Sequence, residues 1–131
     1  TSYAQSTMIY GNQWDEVMSW LKITEFASAP SKVDSDSSSW GNYSDSTGEA
    51  ATGSGTKRPS GYNEVWQANN IYDLAGNCWE WTQEAYDTSG RVIRGGSCDS
   101  NGSSSPASDR SYDSPFVSYS SYSSRSALYI K

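Results

Sequence analysis

Nearly half of residues 97–126 are Ser (14 of 30), and the stretch separates two segments that read as strands. It shows neither the helical nor the alternating spacing of apolar residues that would let it build a core, and alone it would be disordered. Yet it begins just after Arg91-Val92-Ile93-Arg94 and ends just before Ala127-Leu128-Tyr129-Ile130. A chain arranged this way must hold a long irregular excursion at both ends while other segments supply the core. Loops of that length inside compact domains are generally functional.

The core must come from aromatic residues. Only 34% of the 131 residues are hydrophobic, but 6 are Trp and 10 are Tyr. The length suits one domain, read here as residues 1–131. Residues 1–9 read as an extended lead-in. Trp14, Val17, Met18 and Leu21 fall at i, i+3, i+4 and i+7, which predicts an amphipathic helix over residues 12–22. Asp15 and Glu16 sit near its acid-preferring start and Lys22 at its end. Residues 27–61 are a polar loop in which Trp40 serves as an anchor plugging back onto the core. In Asn70 to Trp81, Gly76 and Asn77 can take the positive φ of a tight turn. Trp79 and Trp81 then share one side of a strand with Glu80 opposite. Leu128 and Ile130 share a face of the last strand, which is expected to lie inside a sheet.

Several functions are excluded by what the chain lacks. It contains no His, which removes Ser-His-Asp triads, Cys-His dyads and His-based zinc sites. A net charge of −6 argues against a nucleic-acid partner. No apolar run is long enough to insert in a membrane, and no signal-peptide pattern opens the chain. Because Thr1 stands where an initiator Met would, a mature form or an excised piece is expected. Cys78 and Cys98 are the only cysteines; a bridge between them would close a loop of about 20 residues, worth roughly 3 kcal/mol. Two cysteines do not define a framework, so bridged and free states are both open.

The stretch Asn70-Ile71-Tyr72-Asp73-Leu74-Ala75-Gly76-Asn77-Cys78-Trp79-Glu80-Trp81-Thr82 resembles the signature of formylglycine-generating-enzyme-like domains, also called sulfatase-modifying-factor domains. Arg94-Gly95-Gly96-Ser97 is similar to the R-G-G-S segment that follows it in that family. Ser124-Arg125-Ser126-Ala127-Leu128 resembles the family's closing G-F-R-x-A-L strand, without its Gly-Phe pair. Trp40-Gly41-Asn42 and Gln13-Trp14-Asp15 resemble the W-G-N loop and the W-E helix, so the match spans about residues 8–131. The resemblance implies an α+β, C-type-lectin-like fold: a small twisted antiparallel sheet, one or two helices and long irregular loops. It also implies that the family's N-terminal part is missing upstream of Thr1. The family's enzymes hold copper with two closely spaced cysteines just after R-G-G-S, whereas only Cys98 stands here, and soft Cu(I) needs two such ligands. Iron-dependent relatives need His. The expectation is therefore a non-enzyme that requires no cofactor.

Residues 97–126 also contain no Lys, Glu, Gln, Met or Trp, types that make up about a fifth of residues 1–96. Every residue type present can be written with a codon ending in C, the footprint of AAC codons mutated at their adenines. In this the chain resembles the variable proteins of diversity-generating retroelements, which carry a hypervariable ligand-binding surface on such a domain. The resemblance makes 97–126 the candidate hypervariable region. Its expected binding positions are Cys98, Asp99, Asn101, Ser104, Ser105, Asp109, Ser111, Tyr112, Asp113, Phe116, Val117, Tyr119 and Ser121, forming one surface. Arg94 to Ser97, Pro106-Ala107-Ser108, Arg110, Ser114-Pro115 and Arg125 are the expected constant frame. Tyr and Phe supply rigid contact area and Ser, Asn and Gly adaptable hydrogen bonds, the mix that antibody paratopes use. The expected partner is a protein or cell-surface ligand, met at a cell surface or on a phage particle. An oxidase of the formylglycine-generating type and a calcium-dependent glycan-binding lectin are the alternatives.

In the family's enzyme branch the central motif holds calcium. The matching positions are Asp73, Gly76, Cys78 and Glu80: two carboxylates and two carbonyls, hard donors suited to a structural Ca²⁺. Alternatively, Asp73 caps the turn and Glu80 pairs with an Arg such as Arg91 or Arg94.

Overall fold

The computed structural model describes residues 4–130. Its elements run β1 (Ala4–Met8), α1 (Gly11–Ile23), α2 (Ser31–Asp34), a 3₁₀ turn (Gly48–Ala51), β2 (Gln67–Ala68), β3 (Ile71–Tyr72), β4 (Trp79–Ala85), β5 (Arg91–Arg94), β6 (Arg110–Asp113), β7 (Tyr122–Ser124) and β8 (Ser126–Ile130). The arrangement is α+β. The main sheet has the order β6-β5-β4-β7, beside the two-stranded ribbons β1-β8 and β2-β3. β4 and β5 are antiparallel, as are β5 and β6, but β7 runs parallel to β4, so the main sheet is mixed. Of the lead-in, residues 1–3 lie outside the described residues, and the rest forms β1 and the turn into α1.

The predicted helix forms with one extra residue at each end. At its start the Gln13 side chain reaches back to accept the Tyr10 backbone N–H at 2.9 Å, satisfying a main-chain donor that the turn leaves free. Trp14, Met18 and Leu21 are buried. Together they contribute on the order of 6 kcal/mol of apolar burial. The expected acidic start is absent, because the helix begins at Gly11 and its first turn ends before Asp15, which pairs with Arg94.

The polar loop is pinned as expected. Trp40 is buried, donates its indole N–H to the Lys32 carbonyl at 2.8 Å, and packs on Phe26 with ring centres 4.9 Å apart. Beside it Asn42 forms a bridge with Gly76. Gly76 has φ +73, and a Cβ there would lie 2.1 Å from the Asn42 carbonyl oxygen, so only glycine fits this turn. Asn77 follows at φ 63, as the turn reading requires.

One expectation about strands holds and one is corrected. In β4 Trp79 and Trp81 share one side with Glu80 opposite, as expected; Glu80 and Thr82 take the buried side while the two Trp stay half-buried. Glu80 has a charged partner there, and the Thr82 hydroxyl donates to the Val92 carbonyl at 3.1 Å, so neither is buried unpaired. In β8 the shared face of Leu128 and Ile130 is not covered: they are 67% and 84% exposed. Among the described residues β8 pairs only with β1, and that two-stranded ribbon presents this face to solvent. Cys78 and Cys98 are both free and both buried, which closes the open question in favour of thiols.

Candidate functional site

The Ser-rich segment contributes β6 and β7, and the scaffold holds the rest largely by its main chain. The Trp14 indole donates to the Ala107 carbonyl at 2.9 Å. The buried Arg94 guanidinium donates to the Ser108 and Asp109 carbonyls at 3.0 and 3.3 Å. Ser37 N–H reaches the Gly102 carbonyl at 3.1 Å, and Ser44 N–H the Ser100 carbonyl at 3.0 Å. Lys57 donates to the Ser120 carbonyl at 2.8 Å and Trp79 N–H to the Ser121 carbonyl at 2.8 Å. Acceptors on the scaffold match in kind: Asp45 takes the Gly102 N–H at 2.8 Å, Ser37 Oγ the Ala107 N–H at 2.9 Å, and the Val33 carbonyl the Ser108 N–H at 3.1 Å. The segment gives only backbone groups to these bonds. One side-chain tie is the Ser44 hydroxyl bond to Asn101 Oδ1 at 2.8 Å.

What the segment turns outward is mostly what its residue types predict. Asp99, Asn101, Ser104, Tyr112, Phe116 and Tyr119 are exposed. Ser105, Asp109, Ser111, Asp113, Val117 and Ser121 are half-buried. Cys98 is corrected out of the accessible set: it is 4% exposed, because its N–H bonds the Asn77 carbonyl at 3.0 Å and draws it against the central turn.

The expected single surface is also corrected. Strand register pairs Trp81 with Ile93 and Ile93 with Ser111, so Ser111 and Asp113 share the Trp81 side of the sheet. Tyr112 pairs with Val92 and points to the other side. There it stacks on Tyr86 with ring centres 3.7 Å apart, while Arg110 binds Glu84 at 2.6 Å. On the Trp81 side, Tyr119 meets Tyr122 edge-on at 5.1 Å and Tyr122 meets Trp81 at 5.3 Å. The Tyr122 hydroxyl donates to Asp113 at 2.6 Å, and burial together with that carboxylate raises the Tyr122 pKa. Tyr86, Trp81 and Tyr122 are thus unforeseen parts of the aromatic faces. Strand alternation would have found Trp81, but no local signal marks Tyr86.

Below the sheet lies the acidic turn. Asp73 is buried at φ 58, and its Oδ2 accepts the Ser60 hydroxyl at 2.5 Å. Its Oδ1 has no partner, and burial raises its pKa. Glu80 pairs with an Arg as expected, but that Arg is Arg125 and neither Arg91 nor Arg94. Arg125 binds it through Nε to Oε2 and Nη2 to Oε1. Arg94 serves the Ser-rich segment and Asp15 instead; burial first, then the nearby Arg110 charge, pushes its pKa down to about 10. The Gly76 carbonyl accepts the Cys78 N–H at 2.9 Å. Burial pushes both cysteine thiols up, away from the reactive thiolate.

These residues do not fit a calcium cage. Glu80 is already neutralised by a bidentate guanidinium, and one free oxygen, Asp73 Oδ1, is a single side-chain donor where Ca²⁺ takes six to eight oxygens. Among the described residues, no three His, Cys, Asp or Glu side chains converge as a metal site.

A family model described as the Sulfatase-modifying factor enzyme 1-like domain matches residues 8–127, and the chain belongs to that family. Such domains adopt the C-type-lectin-like fold, and the sparse helices and small sheets here have that form. No curated protein and no solved structure matches the chain. Among the described residues, no helix is long and apolar enough to cross a membrane.

Proposed function

We propose that the chain is a non-enzymatic ligand-binding module, a retroelement-diversified variable protein that displays a Tyr/Ser-rich surface on a constant scaffold. The observation that carries this reading is the main-chain grip on residues 97–126. Carbonyls and N–H groups are the same in every residue except Pro, so side chains there can change while most anchors persist. The outward residues are aromatic rings and small hydroxyls, a mix suited to binding a protein or cell-surface ligand. The buried, protonated Cys98 is a poor nucleophile or copper ligand, which weighs against the oxidase alternative. The Arg125–Glu80 pair weighs against a lectin that binds glycans through calcium at this turn.

The test is a displayed library randomised at Asp99, Ser104, Tyr112, Phe116 and Tyr119, selected on unrelated protein targets. Binders with different targets and an unchanged circular dichroism spectrum are expected. Recovery of no binder from a folded library would end the proposal. In the source genome a reverse transcriptase gene and a template repeat differing only at adenines are expected near the coding sequence.

A further inference from the structure

Two buried asparagines spend their side chains on one short loop. Asn42 Nδ2 donates to the Thr56 carbonyl at 2.9 Å, and its Oδ1 accepts the Gly55 N–H at 3.1 Å. Asn77 Oδ1 accepts the Arg58 N–H and its Nδ2 donates to the Arg58 carbonyl, both at 3.0 Å. The two amides also bond each other at 3.1 Å. A buried, satisfied network of this kind holds a backbone in one arrangement. What the loop presents is Lys57-Arg58, the one pair of adjacent basic residues in the chain. Lys22, Arg94, Arg110 and Arg125 each meet a carboxylate; among the described residues neither Lys57 nor Arg58 does. Lys57 Nζ donates to the Ser120 carbonyl at 2.8 Å. Arg58 gives its Nε to the Gly53 carbonyl at 3.1 Å and lies over the Tyr62 ring at 4.6 Å, which leaves both Nη groups without a partner among the described residues.

Both cations line a cleft of about 780 Å³, a volume suited to a bound group of ligand size. Ser123 and Ser124, both exposed, line it from the Ser-rich segment. Lys57, Pro59 and Ser60 are exposed along it, so a peptide has room to lie there. Arg125, Asp73 and Glu80 also line it, so three cations against two carboxylates leave one positive charge uncompensated. The whole chain carries −6, and the cleft is a local reversal of that field. One uncompensated positive charge matches a carboxylate. A phosphate monoester carries roughly −1.5 to −2 and would be repelled by Asp73 and Glu80. We infer that this cleft binds a carboxylate presented by an acidic peptide segment of a partner protein. The Arg58 fork takes the carboxylate, Lys57 adds a second positive charge, and the Ser123 and Ser124 hydroxyls donate hydrogen bonds. The site rests on Lys57 and Arg58 of the scaffold, so it goes beyond the display reading and stands whether or not the Ser-rich segment is diversified.

The experiment is an amide NMR titration of the full chain with an end-blocked pentapeptide that carries one glutamate among glycines and serines. Its glutamine twin and inorganic phosphate are titrated in parallel. The glutamate peptide is expected to shift the amides of Lys57, Arg58, Ser123 and Ser124 along a saturating curve, and the glutamine twin to leave them in place. Arg58→Gln and Lys57→Gln should each weaken binding about tenfold or more, since each removes a charge-assisted contact. If Arg58→Gln does not fold, Lys57→Gln carries this arm, because that side chain is exposed. Asp73→Asn should tighten binding by removing a negative charge from the cleft, and Lys22→Gln, a change outside the cleft lining, should leave it unchanged. A folded wild type with no saturable shifts at millimolar peptide overturns the inference. Binding that Lys57→Gln weakens no more than Lys22→Gln does overturns it too. Phosphate that binds more tightly than the glutamate peptide overturns the assignment to a carboxylate.

Discussion

At the scale of single residues, the acidic turn holds a deliberate imbalance. Asp73 carries a buried oxygen with no partner, and its raised pKa comes first from that burial, offset in part by Ser60 and Arg125. An acid whose pKa is higher folded than unfolded keeps its proton longer in the folded chain. Its contribution to stability is therefore fully present below the ordinary Asp range, and it is lost as pH rises through the raised value. Asp73→Asn keeps a residue tolerant of φ 58 and removes the charge. It is expected to stabilise the protein by about 1 kcal/mol at pH 7. The gain should vanish below the ordinary Asp pKa, as read from urea unfolding across that pH range. An unchanged or lowered midpoint at pH 7 would show that Asp73 is needed as a carboxylate. Gly76 sets a stricter limit: Gly76→Ala places a Cβ 2.1 Å from the Asn42 carbonyl at positive φ. It is expected to cost at least about 2 kcal/mol and to appear as a large fall in the unfolding midpoint.

At the scale of elements, α1 links the core to the Ser-rich segment. Its periodicity was legible because Trp14, Val17, Met18 and Leu21 repeat locally, and three of the four are buried. Trp14 does a second job that spacing cannot reveal, since its indole N–H holds the Ala107 carbonyl 93 residues away. Trp14→Phe keeps most of the buried ring and loses that bond. It should cost about 1 to 3 kcal/mol, because the Ala107 carbonyl is left buried and unbonded. Amide exchange at Ser108 should speed up more than exchange in β5; equal acceleration of both would mean that the loss is merely global. The strands were legible in their alternation and not in their facing. β4 shows why: a Glu and a Thr take the inside because partners arrive from Arg125, far along the chain, and from Val92 on the neighbouring strand. β8 fails the other way, its apolar side left open because its single neighbour among the described residues is β1.

At the scale of the whole molecule, the Ser-rich segment is a surface whose geometry belongs to its surroundings. Side chains at Asp99, Ser104, Tyr112, Phe116 and Tyr119 are exposed, and the anchors around them use main-chain atoms. Replacing all five together by Ser, Asn or Tyr in new combinations is expected to move the unfolding midpoint by no more than about 5 °C. The same number of substitutions at Trp14, Trp40, Tyr43, Trp66 and Val92, all buried, should abolish cooperative unfolding. A midpoint that collapses in the first set, followed by differential scanning calorimetry, would remove the tolerance on which the functional reading rests.

The amino-acid order by itself determined the helix, the Gly76–Asn77 turn, the family and the division between an aromatic scaffold and a Ser-rich segment. Each of these depends on neighbours within a few residues, where spacing, φ and residue type act directly. Tertiary structure alone decided that Glu80 meets Arg125 and not Arg91 or Arg94, that Cys98 is buried, and that Tyr112 stands on the opposite side of the sheet from Ser111 and Asp113. Those outcomes depend on which strands lie side by side and which segment's end reaches the turn. Burial and charge pairing are properties of the assembled layers, and a linear pattern holds no record of which distant group will arrive.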